Sequence, residues 1–534
     1  MKAMAATSRR TMHSADAISG TKGRLNISGF GPGFGSAKLA AAIARGALIL
    51  AWASALLLIV ARPAHAQTES VLHSFAQNGA DGFSSYAGLA IDAKGNLYGT
   101  TYNGGANNSG TVFKVTPSGA ETVLHSFGGA DGANPYFSGV VRDTAGNLYG
   151  TTTAGGANGF GTVFKLSPTG TETVLHSFAA DGKDGSHPYA RLAIDKTGNL
   201  YGTTPVGGAN NFGTVFKVTP SGTETVLYSF KGGTDGCNPY NAGVVLGKNG
   251  VLYGATTTCG ANGVGTVFKL IPTGTETVLH SFASDGTDGF SPYAGLAIDT
   301  KGNLYGTTYF GGASGFGTVF KLTPTGTETV LHSFANDGKD GCHPENSGLV
   351  IDVTGNLYGT TTVGGASGVG TVFKLTPTGT ETVLHSFANN GTDGFDPYAG
   401  LALDKAGILY GTTLEGGGSD HGTVFKITQY PVSFSPESLT FSAQTVGTTS
   451  APKTVTLFNN QSVALNITSI AASADYSAAP GGTKPCASPV AASSSCTFVV
   501  RFSPTKIGTI KGSVTVTDDA PTSPQAVALT GRGQ

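Results

Sequence analysis

The chain has 534 residues, room for about three or four domains on length alone, and its 31 basic and 32 acidic residues leave a net charge of −1. Glycine fills 82 positions and only 12% of residues are charged; glycine costs about 1 kcal/mol per helix position, which excludes a helical protein. With no Lys/Arg run a nucleic-acid partner is excluded, and regularly recurring Val, Leu, Phe and Tyr exclude disorder.

Residues 1–66 read as a signal peptide. Lys2, Arg9, Arg10, Lys22, Arg24, Lys38 and Arg45 precede an apolar run over 47–60, and Ala64-His65-Ala66 supplies a signal-peptidase pattern before Gln67. The run is about 14 residues, short of the ~20 that span a bilayer. No membrane span is therefore expected after removal; an uncleaved N-terminal anchor is the alternative. The segment holds eight Lys/Arg and one acid, Asp16, so its loss turns the net charge from −1 to −8 and removes the only tryptophan, Trp52. A secreted protein is expected, periplasmic, cell-surface or released.

Residues 67–428 contain seven copies of one unit. Val-Leu-His-Ser-Phe begins at Val71, Val123, Val174, Val278, Val330 and Val383, with Val-Leu-Tyr-Ser-Phe at Val226, at spacings of 52, 51, 52, 52, 52 and 53. Gly-Thr-Val-Phe-Lys also occurs seven times, from Gly110 to Gly422. Several short β runs in a period near 50 predict an all-β propeller with four-stranded blades. In the first unit the strands are predicted at 86–92, 97–102, 111–116 and 121–127. Tight turns at Asp92-Ala93-Lys94-Gly95 and Pro117-Ser118-Gly119 separate the first pair and the last pair, and a longer Gly/Asn loop separates the middle two. The first Val-Leu-His-Ser-Phe has no preceding strands and the last unit lacks a fourth. The N-terminal strand is thus expected to complete the seventh blade and hide both edges.

The units resemble the GloVer tandem-repeat family of secreted bacterial proteins through GNLYGTT, GTVFKLTPTGTETVLHSF and DGxxPYAGL. The Asp-x-x-Gly-Asn-Leu-Tyr core is also similar, over a shorter stretch, to NHL and lyase-type propellers. The GloVer resemblance implies an extracellular β-propeller-like module without an assigned activity.

After a linker at 429–431 the repeat stops. Residues 432–534 turn to Ser, Thr, Ala and Val, with short alternating strands at 432–434, 438–441, 453–458, 464–470, 496–502 and 512–517. That pattern predicts an immunoglobulin-like β-sandwich. Through SLTFSAQTVGTTSAPKTVTLFNN, CASPVAASSSCTFVVRFSPTKIGTIKGSVTVTDD and PQAVALTGRG the tail resembles the choice-of-anchor D and ASPM/SPD-2/Hydin-like group of Ig-like domains.

In an oxidising compartment Cys486 and Cys496 are expected to pair, and Cys237 and Cys259 lie in loops that share a face and can meet; Cys342 is left as a free thiol. No zinc motif at short spacing is present. The strand histidines His73, His125, His176, His280, His332 and His385 should radiate around the rim, each bonded within its blade, with Tyr228 in the remaining copy. Lysines of Gly-Thr-Val-Phe-Lys and glutamates of Glu-Thr-Val-Leu are expected to form cross-strand ion pairs.

Asp-Gly recurs in every loop between units, at Asp81, Asp131, Asp184, Asp235, Asp288, Asp340 and Asp393. Placed near the channel mouth, seven carboxylates would favour cations, calcium the candidate; no other cofactor or metal is expected. A turn-forming role for each aspartate is the other reading. Enzymes need an asymmetric constellation, which identical copies cannot supply. The departures from symmetry are His187, Arg191, His343, Glu345, Glu415, Asp420 and His421. A non-catalytic extracellular binding or structural module, presenting one loop-rich face to an unknown ligand or surface component, is the expected function. The alternatives are a lyase or hydrolase at the channel mouth, and a cell-surface protein attached through its Ig-like domain.

Overall fold

The computed structural model describes residues 68–428, 431–460, 464–491, 494–520 and 523–534; the signal at 1–66 and linker residues 429–430 lie outside them. Among the described residues the protein is almost entirely β. Its helical content is two three-residue 3-10 turns, and no helix is long and apolar enough to cross a membrane.

The repeat unit folds for reasons carried in its own residues. In the first, strands Ala90–Ile91, Leu97–Thr101, Thr111–Val115 and Glu121–Ser126 form one antiparallel sheet in that order. Asp92 closes the first turn. Its Oδ1 accepts the N–H groups of Lys94 and Asn96, and its Oδ2 accepts Asn96 Nδ2 and the Tyr98 hydroxyl. The hydroxyls of Thr101 and Thr111 meet at 2.8 Å inside the sheet. They explain the glycine of Asp-Gly, because a Cβ on Gly82 would lie 2.1 Å from Thr101 Oγ1.

Seven such four-stranded sheets follow one another. The seventh takes its outer strand from the start of the chain: Thr68–Ser74 pairs antiparallel with Thr423–Thr428, Glu69 opposite Ile427 and His73 opposite Val424. The Thr412 hydroxyl also donates to the carbonyl of Ala87, joining last sheet to first. Apolar clusters lie between sheets. One combines Val141, Tyr149 and Val163 of the second sheet with Leu200, Phe216 and Val218 of the third. At every junction a phenylalanine of Val-Phe-Lys meets one from the preceding sheet edge-on, as Phe113 meets Phe75 at 5.2 Å, a contact contributing about 0.5–1.5 kcal/mol beyond its buried area.

The innermost strand is shorter than the 86–92 predicted, only Ala90–Ile91. Residues before it lie where the sheets converge. A Cβ on Gly139 would lie 2.3 Å from the Gly88 carbonyl oxygen, and one on Gly400 would lie 2.5 Å from that of Gly348. Here the backbone runs against the neighbouring sheets, not against its own. A second departure is the ladder between Gly82–Phe83 and Asn103–Gly104, which ties the inter-unit loop to the long loop of the same unit.

The tail forms two four-stranded sheets. One has the order Val432–Ser435, Lys453–Asn459, Ser495–Phe502, Tyr476–Pro480; the other has Ser438–Thr440, Gln525–Gly533, Gly508–Asp518, Ile467–Ala472. Val455, Leu457, Phe498 and Val500 of the first share a core with Val514, Val516, Val527 and Leu529 of the second. The strands Tyr476–Pro480 and Gln525–Gly533 were not among those predicted.

Candidate functional site

The outer strand of each sheet carries a bulge. Val112 faces His125 and Phe113 faces Val123, leaving Leu124 unpaired. Strict alternation would put Glu121 and His125 on one face of the strand; the extra residue breaks that parity. Glutamate and histidine therefore reach opposite neighbours. His73 Nε2 meets Asp81 Oδ2 at 3.2 Å, and Glu121 comes to the same pair from the next sheet, with ligand atoms of all three within 4.8 Å of one another. The His–Asp contact recurs at His125–Asp131 (2.8 Å), His176–Asp184, His280–Asp288 and His332–Asp340 (3.0 Å each) and His385–Asp393 (3.1 Å). In the remaining copy the Tyr228 hydroxyl donates to Asp235 at 2.9 Å.

The aspartates are thus not a ring of free carboxylates at the channel mouth, as one sequence reading had them. Each loop folds back on its own outer strand. Asp81 Oδ2 accepts the Ala76 N–H, as Asp393 Oδ2 accepts that of Ala388, so this oxygen of each serves the strand end and the histidine. The expected Lys–Glu pairs are not found either. Lys114 stands opposite Thr122 and Tyr98 while Glu121 stands opposite Val115, and the ion pairs among the described residues join histidine to aspartate. Burial, reinforced by the nearby aspartate, pushes Glu69, Glu121, Glu172, Glu224, Glu276, Glu328 and Glu381 up to about 7. Sequence reasoning missed these glutamates as partners of the histidines; the signal was a Glu at one position of every copy.

A second grouping lies on the loops entering the inner strands. The tyrosines of the Pro-Tyr positions follow one another as a chain of rings. Tyr398 and Tyr86 are 5.8 Å apart, Tyr86 and Tyr136 4.7 Å, Tyr136 and Tyr189 5.6 Å, and Tyr189 and Tyr240 5.5 Å, the last pair stacked. Tyr293 packs edge-on against Tyr309. In the sixth copy Glu345 replaces the tyrosine. Its charge is felt by Tyr136, Tyr293, Tyr309 and Tyr398, and burial raises its pKa. Behind this layer Asn241 donates to Asn346.

The other departures scatter. His187 and His343 occupy a left-handed turn position (φ 54° and 55°) held by Ser84, Asn134, Asn238, Ser291 and Asp396 elsewhere. The His343 ring lies 4.6 Å from that of Tyr309, and desolvation lowers the pKa of His187. Arg191 replaces an axial glycine; its side chain keeps solvent contact yet is hemmed in by protein, and that desolvation lowers its pKa. Glu415 is exposed and, after burial itself, helps raise Asp396 to about 6. Asp420 accepts the Gly416 N–H as Asn108 accepts that of Gly104, and His421 lies on Phe83. Of these seven, His343 and Glu345 share Tyr309 as a neighbour, and Glu415, Asp420 and His421 lie on one loop.

Cys237–Cys259 and Cys486–Cys496 are disulfide-bonded. Cys342 is buried and free, and burial, then the charge of Asp340, pushes its thiol up to about 11, too high for a nucleophile at neutral pH.

No curated protein matches the chain in sequence. Among solved structures it is similar to the BP39L lectin from Burkholderia pseudomallei, at 11% identity over 64% of this chain and 98% of that one, with a TM-score of 0.44. It is also similar to a polysaccharide lyase, an ulvan lyase (10%, 67% and 95%, 0.39). A third is a quinonprotein alcohol dehydrogenase-like protein from Bacteroides thetaiotaomicron (11%, 63% and 91%, 0.34). Likeness at this level says nothing of ligand or activity. The family model of the Gloeobacter/Verrucomicrobia repeat matches residues 61–256 and 240–469, well over half the chain, and the protein belongs to that repeat family.

Proposed function

We propose that the protein is a secreted, non-catalytic binding module: a seven-bladed propeller closed by its N-terminal strand, followed by an Ig-like sandwich, taking its ligand on the loop-rich propeller face. The observation that carries this reading is the run of tyrosine rings from Tyr398 to Tyr240, interrupted around the ring by Glu345. Aromatic faces on a rigid scaffold hold flat or cationic groups at little entropic cost, and a carboxylate among them adds selectivity for positive charge. Tyr240, 42% exposed, is the ring most open to a ligand. An enzyme would need a base and a nucleophile in contact, and the scatter of the symmetry-breaking residues favours binding instead.

The test is binding of the mature chain to immobilised extracellular polysaccharides and to amine-bearing cell-wall fractions. Tyr240→Ala and Glu345→Gln should weaken retention at least tenfold with Tm unchanged. Retention indifferent to both substitutions would reject this face. Attachment through the tail is the competing reading, supported if the tail alone fractionates with cells.

A further inference from the structure

Among the described residues, the closing strand Thr68–Ser74 contributes to two of three His/carboxylate clusters with metal-ligand spacing, the third being His176, Asp184 and Glu224. Glu69 joins His385 and Asp393 of the sixth repeat; His73 joins Asp81 and Glu121 of the first. In each, an imidazole and an aspartate eight residues apart are joined by a glutamate distant in sequence, with ligand atoms within 4.8 Å of one another.

Two independent observations point to a cation there. Asp81 and Asp393 have side chains only 9% exposed, and the Oδ1 of each is buried without a hydrogen-bond partner, as are Oε1 of Glu69 and of Glu121. The same oxygens are unpaired at other junctions, as at Asp288 and Glu328, so the spacing of the ligand atoms is what singles these clusters out. Buried unpaired carboxylate oxygens are costly unless a cation or a proton satisfies them. The spacing also fits. Ligands bound tetrahedrally at ~2.0–2.2 Å stand about 3.3 Å apart, and the His–Asp separations here, 3.2 and 3.1 Å and hydrogen bonds as they stand, need little change to reach it.

We propose that these two clusters each bind a zinc ion, which fastens the closing strand to the sheets on both sides and so locks the ring. Imidazole with carboxylates suits zinc; calcium takes six to eight oxygens and no nitrogen. Zinc would replace the proton between imidazole and aspartate, which leaves to solvent, while the Ala76 and Ala388 N–H groups hold the aspartates as outer-shell donors. In the third sheet Tyr228 replaces the histidine and this donor set is lost.

The experiment uses the untagged mature chain, stripped with chelator and then titrated with zinc chloride, reading bound metal by mass spectrometry and Tm by calorimetry. At least two zinc ions per chain are expected, with a rise in Tm. Glu69→Gln and Glu121→Gln should each remove one ion, and Glu172→Gln, at the matching position of the second sheet, should remove none. His385→Tyr copies the natural Tyr228–Asp235 pair and gives a second route to losing one ion should a glutamine variant misfold. Fewer than two ions on the wild-type chain, or a stoichiometry untouched by Glu121→Gln and His385→Tyr, overturns the proposal.

Discussion

The repeat array and the C-terminal sandwich bury the same kinds of side chain in opposite places. In the tail, two sheets face one another across a single core, from Val455 and Phe498 on one side to Val516 and Leu529 on the other. In the array the cores lie at the junctions, and each sheet uses both faces on neighbours. Stability in the array therefore belongs to the ring and not to any unit, as in repeat proteins whose neighbours supply the core. The seven-residue strand that closes it is worth more than its own contacts.

The largest effect should come from removing that strand. A chain beginning at Ala76 loses Phe75 and the outer edge of the seventh sheet, exposing one ladder and opening two junctions. Calorimetry should show the array's transition lost or moved far down while the tail's persists; two unchanged transitions would mean that closure contributes little. Next is Phe113→Ala. Phe113 is fully buried against Phe75, and truncation of such a ring costs about 3–5 kcal/mol. It should lower only the array's transition. Replacing Cys486 and Cys496 together by alanine should act on the other side of the comparison. A bond closing a short loop contributes about 2–4 kcal/mol, so the tail's transition alone should fall.

Sequence and structure agree where the information is local. The strands Leu97–Thr101, Thr111–Val115 and Glu121–Ser126 fall within a residue of their predicted ends, because each is bounded by a turn whose Asp, Pro or Gly does the bounding. The inner strand was overestimated because its last partners are other sheets, which alternation within one unit cannot reveal. Tyr476–Pro480 was missed because Ser, Ala and Pro at an edge carry no β signal. At the candidate sites, the histidines were legible as residues bonded locally. Glu121 was not, since it arrives 48 positions after His73 and on a face that the bulge at Leu124 decides. The tyrosines were visible as Pro-Tyr but had the look of turn residues; only a closed ring brings them side by side.

The smallest expected effect separates the two regions by pH. The glutamates that burial, with the nearby aspartates, raises to about 7 belong to the array; at the junctions away from the closing strand and from the third cluster they are Glu172, Glu276, Glu328 and Glu381. Below their ordinary value near 4.5, each carries a proton folded or unfolded, and the junctions keep their full strength. Between about 4.5 and 7 the unfolded chain releases that proton while the folded one holds it, so stability falls as pH rises. These side chains are partly solvated, which screens the effect; a decline of a few degrees in the array's Tm is expected, measured in chelator so that metal plays no part. Replacing the four glutamates by glutamine should remove about half of the decline, the other three raised glutamates keeping the rest, without moving the tail's transition. A slope unchanged by the four substitutions would place its origin outside these junctions.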